Sequence, residues 1–193
     1  MFTAQKFNIP ELKGISKRTI DEHIKLYEGY VKNLNQIHEI VENVNNPEYA
    51  RRESYRRQGF EFGGMRNHEY YFNSLSDGST TLTTGGQLML AIEKDFDSFE
   101  NWLTVFKGLA MTKGIGWAML SYDKKTGQLL NHWVDEQHIG HLVSTSPILA
   151  LDMWEHAYVY DYPTSEKKKY IDAFFENVNW EVIEKNFIDA QKQ

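Results

Sequence analysis

Asp152-Met153-Trp154-Glu155-His156-Ala157-Tyr158 closes a strand-like run and opens a helical turn, and it sets a carboxylate four residues before an imidazole. On a helical turn an i, i+4 pair points both side chains the same way, so the two could share one metal ion. Taken alone, that spacing decides little. Upstream of it, Gly116–Tyr122, Gln128–Val134 and Pro147–Met153 are short segments rich in Trp, Leu, Ile and Val. Asp123-Lys124-Lys125-Thr126-Gly127 is a good hairpin loop between the first two, so the three segments read as a small antiparallel sheet. Before the sheet, Leu88–Phe96 and Phe99–Met111 read as short helices separated at Asp97-Ser98. After the signature comes a loop at Asp161–Ser165 with Pro163, then two amphipathic helices, one running through Phe175 and one from Asn179 to Ala190.

The first half has a different texture. From Ser16 to Val44 the apolar residues fall at Ile20, Ile24, Tyr27, Val31, Leu34, Ile37 and Val41, steps of three and four that predict a long amphipathic helix. Ser16 or Thr19 can cap it, and Thr19-Ile20-Asp21-Glu22 has capping-box spacing. Asn45-Asn46-Pro47 breaks the pattern, with Pro47 placed to start a charged helix through Glu48–Arg57. Gly63-Gly64 is expected to interrupt before a further helical segment, Met65–Leu75. Ser76–Gly86 is polar and turn-rich and is the expected boundary. The fold class is α+β: an N-terminal helical hairpin domain, 1–82, followed by a mixed domain, 83–193, with a three-stranded antiparallel sheet and flanking helices.

The 193 residues carry 21 Lys+Arg against 27 Asp+Glu, a net charge of -6, and no cysteine. Disulfides, thiolate nucleophiles, Cys-ligated zinc and iron–sulfur clusters are excluded, so any metal must be held by nitrogen and oxygen. The acidic balance argues against broad nucleic-acid binding, which needs a basic surface to displace counterions. No window approaches the roughly 18 consecutive apolar residues of a membrane span, and no targeting segment is evident at the N-terminus, so a cytoplasmic location is expected.

Seven histidines are present: His23, His38, His68, His132, His138, His141 and His156. His23 lies on the apolar face of the first helix, His68 in an aromatic helical segment, and His156 in the quoted signature. The chain resembles the iron/manganese superoxide dismutase family. Asp152-Met153-Trp154-Glu155-His156-Ala157-Tyr158 is that family's C-terminal signature complete. Gly63-Gly64-Met65-Arg66-Asn67-His68 resembles its second ligand motif, and Tyr30-Val31-Lys32-Asn33-Leu34-Asn35 the end of its first. The run from Gly85 to Phe99 looks like the helix before its sheet and Gly114-Ile115-Gly116-Trp117 like its first strand. Phe174–Trp180 is similar to its final Asn-x-x-Asn-Trp segment, with Glu176 where the first Asn belongs. The likeness covers roughly residues 12–45 and 60–190.

The resemblance implies one Mn or Fe ion per subunit held by His23, His68, Asp152 and His156, sited between the two domains. It implies disproportionation of superoxide, with Tyr30 at the gateway to a proton relay, Trp117 and Trp154 forming an aromatic wall, and a homodimer in which Glu155 bonds a ligand histidine of the other subunit. Imidazole and carboxylate do suit Mn and Fe, whereas zinc cannot cycle electrons. In this family the side chain that meets the metal's solvent comes either from four residues before the second His ligand or from the segment leading to the last strand. The first place here is Gly64, so the partner comes from Gln137, or from His138 if the loop slips by one residue. That arrangement favours manganese. Lys25 is the nominee for a basic group at the entrance. The usual pattern sets the first ligand eight residues before the gateway Tyr, with another His four residues after the ligand. Here His23 precedes Tyr30 by seven, Tyr27 stands four on, and Val159 replaces the partner-subunit Tyr that such a His meets. Seven residues sweep about 700°, returning Tyr30 to within roughly 20° of His23. The expectation is an unbroken α-helix with His23, Tyr27 and Tyr30 on one face, and no π-bulge. Glu22 as ligand is the alternative alignment. A non-catalytic metal-binding or metal-storage relative is the alternative function; a ferritin-like di-metal site would want Glu-x-x-His pairs, which are absent. His38, His132 and His141, and the basic runs Arg51-Arg52, Arg56-Arg57 and Lys167–Lys169, read as structural or solvated residues.

Overall fold

The computed structural model describes residues 1–192. Two long helices, α1 (Lys17–Glu42) and α2 (Glu48–Leu75), are followed by α3 (Gln87–Phe96) and α4 (Phe99–Ala110). Strands β1 (Gly116–Asp123), β2 (Gln128–Asp135) and β3 (Thr145–Asp152) come next, then 3-10 turns at Glu155–Ala157 and Thr164–Glu166, and finally α5 (Lys167–Asn177) and α6 (Trp180–Gln191).

The seam of α1 is Ile20, His23, Tyr27, Val31, Leu34, Ile37 and Val41, all buried, and it packs along α2. Ser16 is the cap: its hydroxyl accepts the N–H of Thr19, so Thr19 sits inside the first turn and the box anticipated at Thr19–Glu22 does not form. The helix runs unbroken from Lys17 to Glu42, with seven residues carrying His23 to Tyr30.

The break expected at Gly63-Gly64 does not occur; α2 is one helix from Glu48 to Leu75, with Pro47 as its N-cap. Both glycines are there for close approach. A methyl group on Gly63 would overlap the Gln137 carbonyl, and one on Gly64 would overlap the Tyr30 ring. The helical hydrogen bonds and tertiary packing outweigh the roughly 1 kcal/mol that each mid-helix glycine costs relative to Ala.

The sheet has the order β2-β1-β3, antiparallel throughout. In the central strand, Trp117 pairs with Val134 on one side and Asp152 on the other. The register shifts between Leu120 and Ser121, where Ser121 faces Pro147 of the edge strand, the position a residue without an N–H tolerates. β3 packs on α2 and α6. The connection from α2 to α3 is tied down by Asn179, which donates its amide to the Ser76 carbonyl and accepts from the Thr80 hydroxyl. β3 therefore lies against α2, and the turn that follows it lies against α1.

Candidate metal centre

His23 comes from the buried seam of α1, His68 from α2 one turn beyond Gly64, Asp152 from the last residue of β3, and His156 from the 3-10 turn that follows. They converge. The Oδ2 of Asp152 lies 3.0 Å from His23 Nε2, 3.2 Å from His156 Nε2 and 3.5 Å from His68 Nε2. One donor atom from each of the four falls within 4.8 Å of all the others. The side chains of His23, His68 and Asp152 are fully buried and that of His156 is 20% exposed.

The donor chemistry fits a metal ion. His68 Nδ1–H donates to the Gly64 carbonyl at 2.6 Å, which leaves Nε2 as the bare lone pair of a neutral ring, and that buried atom has no hydrogen-bond partner among the described residues. Burial, and then the neighbouring His23, push the His68 pKa down to about 3; burial also lowers His23. Burial alone would raise the Asp152 carboxyl, but His156 and His23 beside it hold it well below the usual carboxylate range. Burial thus favours the uncharged rings of His68 and His23 and their neighbours favour the Asp152 carboxylate, the forms in which these groups can ligate. Two donors bound at about 2.1 Å and subtending 90–120° lie roughly 3.0–3.6 Å apart, which spans the three Nε2–Oδ2 separations. The other carboxylate oxygen, Oδ1, accepts the backbone N–H of Trp154 at 2.8 Å. Glu22, the alternative ligand, pairs with Lys25 at 2.8 Å instead.

Around the cluster runs a hydrogen-bonded chain. Trp117 Nε1–H donates to Gln137 Oε1 at 2.9 Å, and Gln137 Nε2–H donates to Tyr30 Oη at 2.9 Å. An indole can only donate, so the Gln137 amide is held in one orientation, with a second N–H that has no partner among the described residues. Tyr30 is half-buried; its ring lies 5.1 Å from that of His68, and burial, with Asp152 and Glu61 nearby, raises its pKa well above the ordinary phenol value. His138, the alternative to Gln137, does not join this chain: its ring meets that of Phe60 at 5.7 Å. In this loop Glu136 has a positive φ of 52°, Gln137 is fully buried, and His138 is half-buried against Phe60.

Trp117 packs edge-on against His68 at 5.0 Å, while Trp154 stacks on His156 at 5.7 Å and donates its indole N–H to the Glu136 carbonyl. Tyr27 is buried on the same side of α1 as His23, but its hydroxyl accepts from the Gln5 N–H and donates to Glu69, which Arg66 in turn binds. It is a structural tie within one subunit. Glu155 is exposed and its carboxylate makes no hydrogen bond or ion pair among the described residues. Lys25, the basic group nominated for an entrance, is exposed and pairs with Glu22. His38, His132 and His141 lie outside the cluster, against Gln58, Ser121 and the Gln137 carbonyl respectively.

Two supports of the site went unread in the sequence. Tyr71 lies 5.0 Å from the His23 ring, and Tyr170 Oη donates to the Asp152 carbonyl at 2.9 Å while lying 3.2 Å from Tyr71 Oη. Tyr71 follows His68 by three residues, and that helical spacing was an available signal. Tyr170 had none, being 18 residues from Asp152.

Three imidazoles and a carboxylate, brought together by two helices, a strand end and the turn after it, form in this α+β fold a group that could hold one metal ion. The family model for iron/manganese superoxide dismutases, C-terminal domain, matches residues 84–186. A superoxide dismutase [Fe] of Cupriavidus metallidurans is 36% identical over 186 residues, covering 93% of this chain and 92% of that protein. A superoxide dismutase [Fe] of Aquifex pyrophilus is 33% identical over 94% of this chain and 88% of its own length. A superoxide dismutase [Mn] of Haloarcula marismortui is 48% identical over 96 residues, 50% of this chain and 46% of that protein. The chain belongs to the iron/manganese superoxide dismutase family.

Proposed function

We propose that this chain is a superoxide dismutase, converting two superoxide anions and two protons to dioxygen and hydrogen peroxide. His23, His68, Asp152 and His156 would hold one ion, manganese in preference to iron. The observation that carries this reading is the convergence of three imidazole nitrogens on one buried carboxylate oxygen. When bound, the ion would supply the one-electron redox chemistry that the reaction needs.

The chain's own part is to deliver protons and keep bulk water out. Tyr30, with its pKa raised by burial, keeps its proton at neutral pH, and Gln137 N–H holds Tyr30 Oη in place. Trp117 fixes the amide of Gln137 from behind. Tyr30 thus stands half-exposed between solvent and His68, where its hydroxyl can pass a proton inward and be reprotonated from outside. Trp117, Trp154, Tyr71 and Phe72 wall the cluster with aromatic rings. The preference for manganese rests on Gly64, which offers no side chain, and on Gln137, which supplies an amide donor. The exposed, unpaired Glu155 beside His156, with exposed Val159 and Tyr160, supports a homodimer through this segment. The reading also takes 1–82 and 83–193 as two domains flanking the site, a cytoplasmic location and no nucleic-acid partner; no helix is long and apolar enough to cross a membrane.

The test is to quantify Mn and Fe in the purified protein, reconstitute each form, and assay superoxide removal. Activity with Mn, with or without Fe activity, is expected; activity with Fe alone rejects the metal preference, and no activity with either metal rejects the function.

A further inference from the structure

We propose that Arg57 is the residue that guides the anionic substrate to Tyr30, an inference that rests on the activity proposed above. A protein of net charge -6 repels superoxide at long range, so its approach requires a local cation. The structure leads from the cluster to one. The ring of His68, fully buried, lies 5.1 Å from that of half-buried Tyr30; Tyr30 lies 5.9 Å from Phe60; and the Arg57 guanidinium carbon sits 3.5 Å over the Phe60 ring. These four side chains form one continuous path from the interior to the surface.

Arg57 is also held in a usable orientation. Its Nε–H donates to Glu61 Oε1 at 2.9 Å, and Glu61 is itself buried, its other oxygen accepting from Asn33 Nδ2 at 3.3 Å. The two Nη groups make no hydrogen bond among the described residues, so the outer edge of the guanidinium keeps its N–H donors free for an anion. The Arg57 side chain is 55% exposed and that of Glu61 5%, so the pair is a dipole with its positive end outward. Stacking on Phe60 sets its position relative to Tyr30. Neither Lys25, paired with Glu22, nor Arg52, paired with Glu48, has a row of contacting side chains that leads to Tyr30 among the described residues.

The experiment measures the second-order rate constant of superoxide removal against ionic strength for metal-loaded wild type, R57Q, R57E, R57K and the control R52Q, which changes net charge equally. R57Q should lower the low-salt rate by about threefold and R57E by more, with the salt dependence flattened or reversed, while R57K and R52Q stay near wild type. A second readout needs no turnover: the affinity for azide, a small monoanion, should weaken about threefold in R57Q and not in R52Q. R57Q leaves the buried Glu61 carboxylate unpaired, so R57Q/E61Q, which removes both charges, serves if the single variant does not fold, and the same losses are expected of it. An unchanged salt dependence in R57Q, or equal effects in R52Q, overturns the proposal. If the loaded wild type fails to remove superoxide, the proposed activity falls, and equal azide affinity in wild type and R57Q then rejects Arg57 separately.

Discussion

Replacing Gly64 by alanine sets two magnitudes of opposite sign against each other. In a helix interior the change should stabilise by about 1 kcal/mol, because alanine loses less backbone entropy on folding. The added methyl group, however, would stand 2.6 Å from Tyr30 Cε1 and 2.8 Å from Cγ, well inside van der Waals contact. The ring cannot simply swing aside, since His68 and Phe60 pack against it. Overpacking of this kind costs about 1–3 kcal/mol, so the helix gain is offset and the net effect should be a loss of up to about 2 kcal/mol. Tyr30 must also shift, which lengthens the 2.9 Å bond from Gln137 and should lower superoxide removal at least several-fold. Gly108→Ala in α4, where nothing lies within 4 Å of the new Cβ, isolates the propensity effect and should stabilise by about 0.5–1 kcal/mol. Urea unfolding of the chelator-treated proteins, followed by Trp fluorescence, measures both without a contribution from bound metal. If G64A raises the midpoint as G108A does, the account of why glycine stands at position 64 is wrong.

Three further outcomes are expected. Trp117→Phe removes the donor that orients Gln137, leaving a buried acceptor unpaired at a cost of about 1–3 kcal/mol; superoxide removal should fall with it, whereas Trp102→Phe, whose indole binds Asn131, should lose stability and keep its rate. Tyr27→Phe orphans the Gln5 N–H and should cost about 1–2 kcal/mol in urea unfolding, but a tenfold loss of rate would show that Tyr27 belongs to the proton path. In the metal-free protein, His68 in the unfolded chain binds a proton near 6.5 and in the folded chain only near 3, so the unfolded state carries more protons between those values. Stability should therefore fall as pH drops from about 6.5 toward 3, with His23 acting in the same direction, and a flat midpoint between pH 6.5 and 4 would contradict the neutral cluster.

The amino-acid sequence determined what local periodicity and short motifs can carry. Steps of three and four from Ile20 to Val41 marked the buried face of α1, the Asp123–Gly127 loop marked the hairpin, and Asp152 with His156 marked two members of the cluster, because each pattern is read within a turn or two of chain. Set against the eight residues of the family pattern, the seven-residue interval from His23 to Tyr30 predicted an unbroken helix, since angular position along a regular helix follows residue count. What it could not decide was which distant groups come close. Gly63-Gly64 read as a break because glycine weakens a helix locally, yet the pair stands where the Gln137 carbonyl and the Tyr30 ring press on α2 from elements that are remote in the chain. Counting along the chain favoured Gln137 but left His138 as the alternative, and only the folded loop shows Gln137 bonded to Trp117 and Tyr30 while His138 packs on Phe60. Lys25 and Arg57 likewise differ through their surroundings: an acidic neighbour one turn away pairs the first, while a buried carboxylate and an aromatic face hold the second toward the path to Tyr30. Side-chain type and spacing are properties of the chain; the identity of a long-range neighbour is a property of packing, and it exists only once the helices and the sheet have met.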